Sequence, residues 1–308
     1  GEQHAIPYAR AQVEQFSPRS RAILEIRSQR DLEILEKIYG NSVLLGDDGP
    51  GGWQIKYATE FHMTNDSKLF PPRPWWEARG YRPDEYGRWL KGRWHEASLT
   101  GSRWDMDPGA ILSVDGAAWI HEDEIEDVAL PLYEGRMIGQ FDFSQKGWVS
   151  GRGRGAVWQE IPWERKAMEP QYLMSSAAFI ERREKKRLDS GRWLSRIGFK
   201  DVGSATNSGS MFCTPLPGVP CGNTVPVLES EHLPEGEAWL AAVLNSFCYD
   251  FALRARLGGL HLNWFVIDET PVRGIETGTH FQSVALNAAR LSWCHQCFSG
   301  FWLDLEPT

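Results

Sequence analysis

Apolar residues recur at helical spacing in residues 26–39 (IRSQRDLEILEKIY), where Leu32, Ile34, Leu35 and Ile38 alternate with charges, so the pattern predicts an amphipathic helix. A Gly/Asp/Pro loop at 46–52 is followed by 53–61, which alternates and carries aromatics as a strand does. Residues 70–104 are irregular and rich in Pro, Trp, Tyr and Arg. Trp75, Trp76, Trp89, Trp94 and Trp104 need burial or a partner, which predicts a long structured excursion and not a linker. Short apolar stretches at 111–114 and 117–120 predict strands. Residues 170–187 open on a proline and close on a basic run, the polarity of a helix with positive charge at its C-terminal end. The clearest helical pattern is 238–256 (AWLAAVLNSFCYDFALRAR), stopped by Gly258 and Gly259. No fixed-period repeat is visible. Strand and helix signals mixed in this order predict an α+β fold, β-rich with flanking helices. Its length of 308 residues fits one large domain or two modest ones, with lobes expected at 1–130 and 131–308, the second ending in a helical part.

Composition changes the picture little: 42% hydrophobic and 24% charged residues describe a folded chain. No apolar run approaches the ~20 residues needed to span a bilayer, so no membrane association is expected. Residues 1–10 lack the basic and then apolar segments of a signal peptide, and five cysteines are an odd number for a disulfide framework; both favour a reducing, cytoplasmic setting. Charge changes the picture more. The net charge is −8, yet residues 133–200 hold 14 Lys and Arg against 8 Asp and Glu, a balance of +6 that leaves −14 for the rest. A dense acidic run, His121-Glu122-Asp123-Glu124-Ile125-Glu126-Asp127, precedes this basic middle. Such asymmetry suits either a phosphate-attracting groove on an otherwise acidic protein or a solvated surface.

Candidate chemistry is sparse. Gly151-Arg152-Gly153-Arg154-Gly155 has the glycines of a nucleotide loop but is interleaved with arginines, which fits a phosphate-contacting turn better than a nucleotide fold. Glu164-Arg165-Lys166 has the Glu-x-Lys form of metal-dependent nucleases, with Asp142 upstream as a second carboxylate, and such a set can hold Mg²⁺ and polarise water. Cys294-His295-Gln296-Cys297 is half of a zinc site without an evident other half, since Cys213 and Cys221 have unusual spacing for it; buried unpaired cysteines in a helix are the plainer account, and no metal is expected. His62 beside Met63 reads as a packed or capping residue. No Gly-x-Ser-x-Gly elbow supports a serine hydrolase. The Asn/Asp-Pro-Pro-aromatic turn by which adenine methyltransferases hold the target amino group is also missing; Pro71-Pro72 follows Phe70 and precedes Arg73. Recognition chemistry remains: 145–165 (QKGWVSGRGRGAVWQEIPWER) offers basic, polar and aromatic side chains on Gly-flexible loops, and 204–210 (SATNSGS) is either a groove-reaching polar loop or an ordinary turn.

Five ordered motifs sharpen this. They are Ile26-Arg27-Ser28-Gln29-Arg30-Asp31 running to Ile38-Tyr39; Phe61-His62-Met63-Thr64-Asn65-Asp66-Ser67 with Leu69-Phe70; and Leu130-Pro131-Leu132-Tyr133-Glu134-Gly135-Arg136-Met137-Ile138 with Gln140-Phe141-Asp142. Then come Arg196 with Ala205-Thr206-Asn207, and Leu244-Asn245-Ser246-Phe247 through Asp250-Phe251 and Gly258-Gly259 to His261-Leu262-Asn263 and Pro271-Val272. Together they cover nearly the whole chain and resemble the C-terminal target-recognition region of adenine-N6 DNA methyltransferases of type IIG restriction-modification systems and of BREX- and DISARM-like phage-defence systems. The chain departs from that pattern at Gly139, where the family often has His, and at Ser208 and Gly209, which replace a Glu-Arg pair.

The resemblance implies a β-rich recognition domain without a Rossmann methyltransferase core, and a function in sequence-specific recognition of double-stranded DNA. Methyl transfer and its S-adenosylmethionine would then belong to a catalytic domain acting in cis or in trans, with no cofactor and no catalytic residue in this chain. Phosphate contacts are expected from Lys146, Arg152, Arg154, Arg165, Arg192, Arg196 and Lys200, and base contacts from Asn207 and Ser208. Tyr133, Glu134, Gly135, Asn245, Gly258, Gly259 and Asn263 are expected to be architectural. Tyr133 and Glu134 would fix the chain by hydrogen bonds, and the Gly258-Gly259 pair would turn where a larger residue does not fit. A Mg²⁺-dependent nuclease or a protein-interaction module of a defence complex stands as the alternative.

Overall fold

The computed structural model describes residues 6–97, 107–185, 196–204, 206–230, 234–275 and 278–304. In chain order the first elements are α1 (Arg10–Phe16), α2 (Gln29–Gly40), β1 (Val43–Leu44), β2 (Lys56–Ala58) and α3 (Arg73–Glu77). Next come β3 (Arg82–Pro83), β4 (Trp89–Gly92), β5 (His95–Glu96), β6 (Ala110–Leu112), β7 (Ala118–His121), β8 (Ile125–Pro131), β9 (Lys146–Ser150), β10 (Val157–Glu160) and β11 (Leu173–Ser175). The remainder is α4 (Ser176–Lys185), β12 (Arg196–Phe199), β13 (Cys213–Leu216), β14 (Val227–Glu229), α5 (Pro234–Leu244), α6 (Phe247–Arg256), α7 (Trp264–Ile267), β15 (Pro271–Val272), α8 (Thr279–Ser292) and α9 (Ser299–Asp304).

The molecule is a mixed α+β protein of several small sheets, with no closed barrel among the described residues. The strand orders are β11-β8-β4-β3, β13-β12-β14-β2 and β5-β7-β6, with two-stranded pairs β1-β15 and β9-β10, and every one of these ladders is antiparallel. Strand β8 runs through residue 130, while β1 pairs with β15 and β2 with β14 across that point of the chain. The main core gathers Trp53, Tyr133, Phe143, Phe199, Trp239 and Leu253 with their neighbours, and α5 lies along α8 over it. Trp76 and Trp89 are buried in a separate small cluster, as the excursion at 70–104 requires; Trp104 lies outside the described residues.

The predicted helix at 26–39 is α2, which starts later because the Ser28 hydroxyl accepts from the Asp31 amide and caps it. The pattern at 238–256 is two helices, not one. Between them the Asn245 side chain leaves the helical path to bridge β13, accepting from the Cys213 amide at 3.2 Å and donating to the Cys213 carbonyl at 2.9 Å. Ser246 then caps α6 by accepting from the Tyr249 amide. Residues 170–187 were expected to be one helix; residues 173–175 instead form β11 against β8, and the helix begins at Ser176. The periodicity missed this because Leu173 and Met174 are fully buried, and a buried apolar pair fits either element. The aromatic stretch at 53–61 yields only the three-residue β2, with Trp53 buried beside it, its ring stacked on Trp239 at 5.6 Å.

Candidate functional site

Strand β8 delivers the chain through Leu132 and Tyr133 to Glu134, Gly135 and Arg136. The Tyr133 amide donates to the Pro220 carbonyl at 2.9 Å, the Tyr133 carbonyl accepts from Gly222 at 2.9 Å, and the Gly135 amide donates to Thr224 Oγ1 at 3.0 Å. Gly135 is required for this close approach, because a Cβ there would stand 2.9 Å from the Thr224 carbonyl oxygen. The expectation that the Tyr133 and Glu134 side chains fix this segment by hydrogen bonds is corrected: the buried Tyr133 hydroxyl and Glu134 Oε2 have no hydrogen-bond partner, and backbone bonds hold the segment instead. Burial pushes the Glu134 carboxyl up to about 7, against the opposing pull of the Arg136 charge.

Across from this segment stands the β9–β10 hairpin. Lys146 pairs with Glu160 and Trp148 with Trp158, and the ladder slips between Val157 and Trp158. Its turn depends on Gly151, at φ +78, where a Cβ would fall 2.3 Å from the Gly155 carbonyl oxygen. The Trp148 indole N–H closes the turn by donating to the Gly151 carbonyl at 3.0 Å. Arg152 and Arg154 are left exposed at the tip.

The two segments line a cleft of about 920 Å³. Glu134, Arg136, Lys146, Trp158, Tyr172 and Lys200 border it, with Gln145 and Thr224. The Arg136 guanidinium stands 6.0 Å from the Trp158 ring centre. Lys200 donates to Gln145 Oε1 at 3.1 Å, and its ammonium is held below its usual range by burial first and by the neighbouring Lys146 second. Among the described residues, Lys146 has one ion-pair partner, the exposed Glu160 at 4.0 Å. The Trp158 indole N–H is buried without a partner. Arg152 also bears on the cleft, since its charge reaches Tyr172, a lining residue. The arrangement is a half-buried hollow of net positive charge with one aromatic platform and one underemployed carboxyl, chemistry suited to a phosphate carrying a planar group.

Lys146 and Lys200 therefore share one cleft, with Arg152 and Arg154 on the hairpin above it. Arg165 lies on the exposed turn Trp163–Arg165 and borders a separate hollow of about 480 Å³ with Arg73 and Trp148. Arg192 lies outside the described residues. Arg196 is a correction: at 1% exposure it offers nothing to a phosphate. Its guanidinium is bidentate to Glu60 at 2.6 and 3.0 Å, reaches Glu229 at 3.3 Å and donates to the Val219 carbonyl. A basic residue inside a basic stretch carries no sequence mark of being buried.

Asn207 and Ser208 are exposed on the loop beside α6. Arg254 donates to the Asn207 carbonyl at 2.7 Å, and Asp250 accepts from the Ser210 amide at 2.6 Å, so the loop is tethered through its backbone. Asn245 is architectural as described. Asn263 begins α7 with its backbone, and its side chain makes no capping bond. Gly258 and Gly259 are corrected: a Cβ on either meets no atom within 4 Å, so steric need does not explain them.

In the Glu164-Arg165-Lys166 set, Lys166 and Asp142 form a buried ion pair at 2.7 Å, and Lys166 also donates to the Ser144 carbonyl at 2.9 Å. Glu164 is exposed, and a cation would have to compete with the Lys166 ammonium for Asp142. Cys294 and Cys297 sit after α8, exposed and half-buried, and His295 accepts from the Cys297 amide; the expectation of buried cysteines in a helix is corrected there, while Cys213 and Cys221 are the buried ones. Among the described residues no group of three or more His, Cys, Asp or Glu is placed to hold a metal ion. His62 accepts from the Thr64 and Asn65 amides as a capping residue. No helix among them is long and apolar enough to cross a membrane.

No protein-family model matches the chain, and no curated protein matches it. Sequence reasoning missed Arg136 and Tyr172 as members of the cleft, and read Glu134 as an anchor. The one signal available was the conjunction of Glu134-Gly135-Arg136 with the hairpin that follows it, since a strand exit near a basic hairpin is where a cleft forms.

Proposed function

We propose that this chain binds double-stranded DNA and reads a target sequence on behalf of an adenine-N6 methyltransferase, whose S-adenosylmethionine-binding catalytic domain acts in cis or in trans. The observation that carries the reading is the convergence of Arg136, Lys146 and Lys200 beside Trp158, under a hairpin tip that exposes Arg152 and Arg154. Cations supply sequence-independent affinity for phosphates, and Gly-flexible polar loops supply contacts to base edges. The ordered motifs from Ile26 to Val272 give the methyltransferase part of the reading. The net charge of −8 does not oppose it, because the local field at the cleft and not the total charge attracts a polyanion. A gel-shift salt titration of the purified chain tests it. Binding that weakens steeply with salt is expected, and no retarded duplex at about 50 mM salt sinks the reading.

A further inference from the structure

We propose that the cleft holds one unpaired nucleotide bearing an exocyclic amino group, with its phosphate on Arg136, Lys146 and Lys200, its base against Trp158 and its amino group on the Glu134 carboxyl. The inference rests on the DNA reading for where that nucleotide comes from. At about 920 Å³ the hollow falls within the roughly 300–1,000 Å³ of small-molecule sites. Among the described residues none of its cations has a carboxylate closer than 4.0 Å. Lys200 is bonded to a neutral amide, Lys146 has one exposed carboxylate at 4.0 Å, and Arg136 faces an indole ring at 6.0 Å. Three cations outnumber the one carboxyl, so the cleft favours an anion.

Two buried polar atoms of lining residues lack partners, Glu134 Oε2 and the Trp158 indole nitrogen. A buried carboxyl without a donor is costly, and a base's exocyclic amino N–H relieves it, whereas thymine's one N–H is flanked by two carbonyl oxygens that a carboxylate repels. Adenine, cytosine and guanine carry such an amino group; thymine does not. The groups facing Glu134 are Arg136 on its own segment and Tyr172 ahead of β11, while Lys146 on β9, Lys200 after β12 and Thr224 ahead of β14 line the same cleft. The same unit reaches the cleft either as a free nucleotide or as a base swung out of a DNA strand.

Isothermal titration of the 308-residue chain with dAMP, dCMP, dGMP and dTMP tests the cleft. An amino-bearing nucleotide is expected to bind about tenfold more tightly than dTMP, the worth of one charge-assisted hydrogen bond. Glu134→Gln, which keeps the shape, should erase that preference because its amide offers both donor and acceptor. Arg136→Ala, at an exposed position, should weaken all four nucleotides alike. Equal binding of the four by the unaltered chain, or binding indifferent to both substitutions, overturns the inference. Two DNA probes, a fully paired duplex and the same duplex with one bulged cytosine, separate the sources. If both duplexes bind equally and no mononucleotide binds, the inference fails and the DNA reading stands. If an amino-bearing nucleotide binds with the expected preference and neither duplex binds at low salt, the DNA reading fails and the cleft belongs to a free nucleotide.

Discussion

At the scale of single residues, Glu134 is the most informative side chain. It sits at a backbone-locked strand exit with Oε2 unpartnered, and burial raises its carboxyl to about 7 from the ordinary 4.5. The folded state therefore holds more protons than the unfolded chain between those two values, and stability falls as pH rises through that window. The penalty is complete above about 7 and absent well below 4.5. A neutral isostere escapes it. Glu134→Gln should gain on the order of 1–3 kcal/mol over the unaltered protein between pH 5 and pH 8, read by urea denaturation at both values. An unchanged difference between the two proteins across that range would show that the carboxyl is ionised and solvated throughout. Arg196 shows the opposite economy of charge. Its guanidinium is buried but paired through both terminal nitrogens, with Glu60 and Glu229 as its carboxylates, and Arg183 joins both carboxylates. Arg196→Ala should cost about 3–5 kcal/mol in chemical denaturation because it leaves Glu60 buried and underpaired. A loss under about 1 kcal/mol would mean that Arg183 takes over its role.

At the scale of elements, the break between α5 and α6 is made by a side chain acting as backbone. Asn245 presents its amide to both the N–H and the carbonyl of Cys213, so the helix end is tied to the edge of β13. Asn245→Ala should destabilise the fold by about 1–3 kcal/mol, with no change in the denaturant slope, since it strands the Cys213 N–H while the Cys213 carbonyl keeps the Phe141 amide, and the surface exposed on unfolding is unaltered. A Ser246→Ala loss larger than that of Asn245→Ala would assign the break to the cap and not to the bridge. This element also shows what was legible in the sequence. Helix α2 was readable because Leu32 and Leu35 face the core while charges face water, and the strands at 111–114 and 117–120 were readable because a tight Asp-Gly turn separates them. The α5–α6 break and β11 were not, because both are decided by partners far away in sequence, Cys213 for one and β8 for the other. The same reason hid the cleft. Lys146 and Arg152 were visible as basic residues on a Gly-rich hairpin, but only the tertiary fold sets them against Glu134 and Lys200 and withdraws Arg196 into the interior.

At the scale of the whole molecule, the charge asymmetry acquires a shape. Part of the basic excess at 133–200 is neutralised internally, Lys166 by Asp142 and Arg196 by Glu60, and so contributes no outward field. Three members of the acidic run are likewise engaged: Glu126 pairs with Lys91 at 2.8 Å, Glu124 with His95 at 2.7 Å, and Asp127 accepts from the Tyr81 hydroxyl. Among the described residues, what faces solvent as unpaired positive charge near the cleft is Arg136 with the two hairpin arginines. On the proposed reading, phosphate neutralisation therefore concentrates on the hairpin and the cleft rim. Each phosphate contact contributes about −0.9 to the slope of log affinity against log salt, so Arg152→Ala with Arg154→Ala should flatten that slope by roughly 2 and weaken binding to all sequences alike. Both residues are exposed on the turn and neither bears on the core, so the thermal midpoint should hold while affinity falls. Arg196→Ala should do the reverse at temperatures where it remains folded, lowering the midpoint and leaving the salt slope in place. Two substitutions of the same residue type in the same basic stretch thus separate a charge that points outward from one that holds the sheet together. A slope indifferent to the hairpin arginines but reduced by Arg165→Ala would move the DNA path to the hollow shared by Arg165 and Arg73.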